Sequence, residues 1–313
     1  MKIAYFLDSN NIYLYLPYLE IIRKYLAKEG IESIVFSPLK INSENSYIIS
    51  LKDSIKISSN IILKIKNIIS KENIDIIHSF SFGGMGILAK HVSNQLKLKI
   101  IYTFLRDPYY KNKILDFVIE KYIKFILDKS YLATPIYIPD FNSDFILPFG
   151  IEEDKQTLDK NTVGAIDHLT PKSNIEMLLD VAATLSNLNP EYKIIISGWG
   201  DIKKYENYIK AKKISNVSIT KLKFFNPSIA FYASQDYWMP IHIIDNIKNG
   251  SIPLIYANAI YSRIFPKEYL FYNKSEIAHK IVEMEYKDSL NSIVEQYNIK
   301  NVIKNYVNTY TNI

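Results

Sequence analysis

The strongest constraint on this chain is a rhythm of short apolar runs, each closed by polar or glycine residues and followed by helical spacing. Ile3-Ala4-Tyr5-Phe6-Leu7 is the first. Five apolar residues without alternation describe a strand buried on both faces, as in a parallel sheet. Asp8-Ser9-Asn10-Asn11 breaks the run, and a helix is expected to about Lys28, with Pro17 in its first turn. Tyr15, Leu19, Ile22 and Leu26 share one stripe of it, and Gly30 stops it. Ser33–Ser37 reads as the second strand, residues 38–60 as a long loop, and Ile61–Ser70 as a helix. Asp75–His78, Ile100–Phe104, Tyr131–Thr134 and Phe145–Leu147 read as further strands. Gly83-Gly84 opens one intervening helix, and Ile114–Lys129 forms another. This alternation predicts an α/β fold with a doubly wound, mostly parallel sheet.

The alternation restarts after the polar, acidic stretch Ile151–Asn161. Val163–Ile166 is a strand, Asn174–Leu188 a helix, Lys193–Ser197 a strand closed by Gly198-Trp199-Gly200, and Ile202–Ala211 a helix. Val217–Thr220 is a strand, Pro227–Ala233 a short helix, and Tyr237–Met239 and Ile252–Tyr256 are strands around a helix near Ile243–Lys248. With 313 residues the chain fits two domains of roughly 150 residues. Two Rossmann-like domains are expected over 1–150 and 151–285, with a helical segment over 286–313 that packs back on the first. Ligands of such sheets bind beyond the carboxyl ends of the strands, and two facing domains would make one cleft there.

Composition removes several functions. There is no Cys, so thiol catalysis, disulfides and Cys-based metal sites are excluded. No His, Asp and Glu spacing suits a metal ion, and no P-loop or G-x-S-x-G elbow occurs. The net charge of +6 comes from Lys scattered among Asp and Glu, which describes a solvated surface and not a nucleic-acid site. No apolar stretch reaches 18 residues and no secretory signal is evident, so a cytoplasmic chain is expected. The basic face of Ile114–Lys129 would suit peripheral contact with the inner face of an anionic membrane.

Six segments, in order, carry a resemblance. They are Asp75–Gly84, Ile146–Ile151, Val163–Lys172, Ile194–Gly200, Tyr232–Pro240 and Gly250–Ile255. Together they resemble the GT-B glycosyltransferases of the large retaining family 4, over about residues 1–285. The resemblance implies two Rossmann-like domains facing across a cleft, an acceptor on the first and a nucleotide-sugar donor, UDP- or GDP-linked, on the second. It implies metal-independent transfer to a glycan, lipid or protein acceptor, with no cofactor beyond the donor.

On this resemblance the donor side comprises Gly164, Lys172, Gly198, Trp199, Lys221, His242, Asp245 and Gly250. The acceptor side comprises Asn10, Asn11, Gly83, Gly84, Arg106 and Asp107. His78, Lys172 and Asp245 are the catalytic candidates: His78 at a strand end facing the cleft mouth, Lys172 beside a helix start capped by Ser173 or Asn174, and Asp245 where the second acid of the family's paired-Glu motif belongs. The sequence also departs from the family. The Glu-Gly-Phe-Gly stretch is missing after Pro240, Tyr237 stands at the first acid, Ala165 replaces an Arg, and Phe80 replaces the second His of the loop after the third strand. A catalytically reduced subunit that binds an acceptor or a partner is the alternative reading. A sugar epimerase of the same shape is a third.

Overall fold

The computed structural model describes residues 1–50, 52, 56–81, 83–105, 124–137, 142–154, 156–234 and 240–313, with Asn10 and Asn11 described in backbone only. It forms two units, Met1–Glu152 with Ile299–Ile313, and Glu153–Asn298.

The first unit begins with β1 (Lys2–Phe6), α1 (Ser9–Lys28), β2 (Glu32–Ser37), β3 (Ser46–Ile48), α2 (Ser59–Lys71), β4 (Ile76–Ser79), α3 (Gly84–Leu96), β5 (Lys99–Thr103), β6 (Tyr131–Thr134) and β7 (Phe145–Ile146). The strands pair in parallel in the order β3-β2-β1-β4-β5-β6-β7. The central strand β1 is buried on both faces, which is why it reads as an unbroken apolar run. α1 starts earlier than expected, because the Asp8 carboxylate accepts the Ser9 N–H and caps it. Pro17 therefore lies inside the helix, where it removes one hydrogen bond at a cost of about 3 kcal/mol. Burial of Ile12, Tyr15, Leu19, Ile22 and Leu26, each worth about 1.5–3 kcal/mol, outweighs it. Ser58 caps α2, whose Ile61, Ile65 and Ile69 form the buried stripe.

The second unit contains β8 (Asp159–Leu169), α4 (Ile175–Leu188), β9 (Lys193–Gly200), α5 (Ile202–Lys212), β10 (Val217–Lys221), β11 (Pro227–Tyr232), α6 (Ile241–Lys248), β12 (Ile252–Tyr256), α7 (Tyr261–Ile264), β13 (Leu270–Phe271), α8 (Ile277–Glu283) and α9 (Ser289–Gln296). Its sheet is parallel, in the order β10-β9-β8-β11-β12-β13. Both β8 and β9 outrun their expected ends, β9 reaching Gly200, and one element changes type. β8 runs three residues past Ile166, because its pairing with β9 continues to Leu169 opposite Gly200. Residues 227–232 are a strand and not a short helix. Ile229, Ala230, Phe231 and Tyr232 are all buried, so both faces of the segment are covered, as only a central strand allows. The strand expected at 237–239 lies outside the described residues.

The chain then returns to the first unit as α10 (Ile299–Asn312), which packs on α1. Ile299 donates its N–H to the Ile151 carbonyl at 3.0 Å. A side chain at Gly150 would lie 2.6 Å from Ile299 Cδ1, so the two segments pass in close contact. The helical segment expected over 286–313 is thus shared. Leu290 and Ile293 of α9 are buried in the second unit, where α9 packs on α6, whereas Tyr306 and Tyr310 of α10 are buried in the first.

Candidate functional site

In each sheet the strand order reverses beside its first strand, between β1 and β4 and between β8 and β11. The carboxyl ends at such a reversal form the natural ligand crevice of a doubly wound sheet.

In the second unit, β8 ends at His168-Leu169 and β9 at Trp199-Gly200, with His168 opposite Trp199. Facing residues on paired strands point to the same side, and here the two rings stack, 5.0 Å between centroids and 7° between planes. Both are half-buried. The flanking glycines have a packing reason. A Cβ at Gly198 would run into the Asp167 carbonyl oxygen, and Gly200 adopts φ +112°, a left-handed conformation that favours glycine. Lys221 lies exposed at the end of β10, opposite Gly198.

The loop after β8 makes a 3-10 turn over Pro171–Ser173 and presents Lys172 to solvent. Neither Ser173 nor Asn174 caps α4 through its side chain, contrary to expectation. The Ser173 hydroxyl donates to the Thr170 carbonyl at 2.7 Å. Asn174, at φ 53°, donates from Nδ2 to the Ala233 carbonyl at 2.9 Å. That bond ties the loop after β8 to the end of β11 across the switch point.

The other donor-side candidates fall elsewhere. Gly164 lies inside β8, where a Cβ would sit 2.6 Å from Pro227 and 2.7 Å from Phe225, so it serves strand packing. Gly250, at φ +97°, follows α6 and precedes β12, at the amino edge of the sheet and away from the crevice. Its N–H donates to the Ile247 carbonyl and ends the helix. Asp245 forms an ion pair with Lys248, 2.9 Å away on the same helix. His242 is 2% exposed and edge-on to Tyr232, and its Nε2 has no hydrogen-bond partner among the described residues. Burial pushes its pKa down to about 3, so it is a neutral ring and not a cationic partner for phosphate.

In the first unit His78 does not face an opening. It is fully buried in β4, with Nδ1 2.6 Å from the Tyr310 hydroxyl and Nε2 2.7 Å from Thr103 Oγ1. Burial holds it at about 3, hence neutral. Tyr310 also meets the Tyr5 hydroxyl at 3.0 Å, so α10 closes a four-residue polar network in the core. The expectation of His78 at the cleft mouth fails because α10 covers it, through Tyr310, 232 residues later in the chain. Gly83 is the N-cap residue of α3 and Gly84 its first residue. Asn10 and Asn11 fall in the first turn of α1. Arg106, Asp107, Tyr237 and most of the basic face expected over 114–129 lie outside the described residues. Among the described residues, no helix is long and apolar enough to cross a membrane.

Two residues at these edges escaped sequence reasoning. His168 was hidden because Asp167-His168 looked like a loop after Ile166. Asp8 looked like a mere strand breaker, yet Ser-Asn-Asn after an Asp is a helix-start signal.

Residues 2–134 match the family model described as glycosyl transferase 4-like. No curated protein matches by sequence. Among solved structures, the glycosyltransferase from Rickettsia africae ESF-5 superposes with a TM-score of 0.70 at 14% identity, covering 99% of this chain and 97% of that one. A mutant of S. aureus TarM in complex with Fondaparinux, alpha-GlcNAc-glycerol and UDP gives 0.63 at 15% identity, over 79% of this chain. The UDP-GlcNAc 2-epimerase from Methanocaldococcus jannaschii gives 0.57 at 10% identity, over 99% of both chains. The chain spans 57% and 58% of the two TarM chains it matches. At such identities the likeness is one of fold. The chain has the GT-B fold, two Rossmann-like units, with a glycosyl transferase 4-like sequence across most of the first.

Proposed function

We propose that this chain is a glycosyltransferase that binds a UDP- or GDP-linked sugar at the carboxyl edge of the second sheet. It passes the sugar to a glycan, lipid or protein hydroxyl held by the first unit. The observation that carries the donor assignment is the flat His168–Trp199 pair beside the switch point, with Lys172 beyond the end of β8 and Lys221 at the end of β10. Stacked rings offer a face to a nucleobase, and exposed ammonium groups suit a diphosphate. Glycosyl transfer needs charge stabilisation on the departing diphosphate and a positioned acceptor hydroxyl. Lys172 supplies the first. Neutral, enclosed His78 is removed from the catalytic candidates, and Asp245 acts, if on the donor ribose, while paired with Lys248.

The enclosure of His78 favours a second reading, a catalytically reduced subunit that binds an acceptor or a partner without turnover. Thermal unfolding against UDP-, GDP-, ADP-, CMP- and dTDP-sugars tests the donor site. A ligand at ~100 times its dissociation constant stabilises by about 2.7 kcal/mol, a rise of a few degrees. A rise with one nucleotide that disappears in Lys172→Ala supports the donor site, and nucleotide release on adding acceptors then separates a transferase from a binding subunit. No rise with any nucleotide overturns the donor site and leaves the catalytically reduced subunit, which binds an acceptor or a partner.

A further inference from the structure

Charge is not spread evenly along this chain. Residues 203–223 hold seven Lys and one Glu, a net +6. The rest of the chain holds 31 basic and 31 acidic residues, so the whole net charge resides in this one stretch. The scatter expected from the sequence gives way to a basic block. The stretch runs through α5, β10 and the turns after each. β10 is the outermost strand of the second sheet and α5 packs on it, so together they form one outer flank of the second unit.

All seven lysines are exposed. Among the described residues only Lys204 of the seven forms an ion pair, with Glu176 of α4. Tyr208, one turn further on, reaches Asp180 of the same helix, and Tyr205 is buried. At about 100° per residue, Lys203 and Lys210 then fall together on the side of α5 turned away from α4. Lys213 follows as the C-cap residue. Lys221 and Lys223 stand at the carboxyl end of β10, and Phe224 beside them is 37% exposed.

Such a block calls for a partner of opposite charge. A second copy of this chain would set the block against itself or against a surface with no net charge. The stretch contains no Arg, whose rigid fork suits one defined phosphate. Lysines are hydrated point charges on flexible stems, suited to anionic charge spread over a surface. Clusters of several lysines are drawn to anionic lipid headgroups, and an exposed aromatic ring beside them suits the headgroup boundary. We propose that the α5–β10 flank docks on an anionic lipid surface. The inference does not depend on the donor site, and the two fail separately.

The test is cosedimentation of the full chain with phosphatidylcholine vesicles, with and without phosphatidylglycerol, at low and at high salt. One variant carries Lys203→Gln, Lys210→Gln and Lys213→Gln. A control carries Lys64→Gln, Lys71→Gln and Lys99→Gln, which removes the same charge from exposed positions of the first unit. Gln has nearly the helix propensity of Lys, and circular dichroism shows that both variants are folded at the temperature used. Wild type is expected to bind the anionic vesicles, to ignore the neutral ones and to be released by high salt. The flank variant binds about 100-fold more weakly, roughly fivefold for each lysine, while the control binds as wild type does. Absence of binding to anionic vesicles overturns the inference. So do equal losses in the two variants, equal binding to neutral vesicles, or tighter binding to a single-stranded oligonucleotide than to vesicles at the same salt.

Discussion

The imidazole of His168 lies flat on the indole of Trp199, with 7° between their planes. Aromatic pairs prefer offset or edge-on contact, and such a pair gains about 0.5–1.5 kcal/mol beyond buried area. The edge-on pairs Tyr232–His242 and Tyr306–Tyr310 lie in the cores of their units. The flat pair lies half-buried at the carboxyl edge of the sheet, where the proposed function places the nucleobase.

Trp199→Ala should therefore weaken the binding of the preferred nucleotide by about 1–3 kcal/mol, the range for one base stacked on an aromatic ring. His168→Ala should do so more mildly. Calorimetry with UDP and GDP measures this, and an unchanged affinity in Trp199→Ala places the base elsewhere.

Lys172→Ala should act on phosphate and not on base. Affinity for the nucleoside diphosphate should fall by about 1.5–3 kcal/mol, as for a lost hydrogen bond to a charged group, while affinity for the free nucleoside holds. The salt dependence of diphosphate binding should shrink in the same variant. Equal losses for both ligands would mean that the turn at 171–173 had collapsed.

Tyr310→Phe removes the partner of His78 Nδ1 and of the Tyr5 hydroxyl at once. Leaving buried polar atoms unpaired costs about 1–3 kcal/mol each. For the two atoms together, urea unfolding should show a loss of about 2–6 kcal/mol, with nucleotide binding to the second unit unchanged.

His78 and His242 are both held at about 3 by burial, against 6.5 in an unfolded chain. Between those values the unfolded state binds more protons. Their contribution to stability is complete above pH 6.5 and drains away as pH falls toward 3. The slope can reach about 1.4 kcal/mol per pH unit for each histidine. Urea midpoints should be level above pH 7 and decline from 6.5 to 5.5, before most carboxylates titrate. His242→Leu should reduce that decline by one proton's share, and an equal decline in the variant would refute the assignment.

Gly164 and Gly198, whose neighbours leave no room for a Cβ, make a pair of contrasting tests. Gly198→Ala puts a methyl against the Asp167 carbonyl, and Gly164→Ala puts one between Pro227 and Phe225. Each should cost about 1–3 kcal/mol by overpacking; Gly164→Ala, inside the strand, should leave nucleotide affinity per folded molecule unchanged, whereas Gly198→Ala, beside the His168–Trp199 pair, should lower it as well.

The parallel sheets were legible because a strand covered on both faces leaves a continuous apolar run, as in Ile3–Leu7. Local signals misled where long-range pairing decided the outcome. Pro227 suggested a helix start, yet burial of both faces made a strand. Asp167 and His168 are polar, yet Asp167 turns its carboxylate onto the His168 N–H at 2.7 Å and stays in the strand. That hid His168. Gly164 and Gly198 look like ligand glycines, but what each avoids is a neighbouring strand or loop. The fate of His78 was written in Tyr310, and no local pattern links the two.

The position of α10 bears on how the molecule is made. The second unit is one continuous stretch and has its own core. The first is built from residues made before the second and a helix made after all of it. On the ribosome, Tyr5 and His78 must therefore wait while the second unit emerges and folds. The strands of the first unit, made before the second, thus reach their finished state after it.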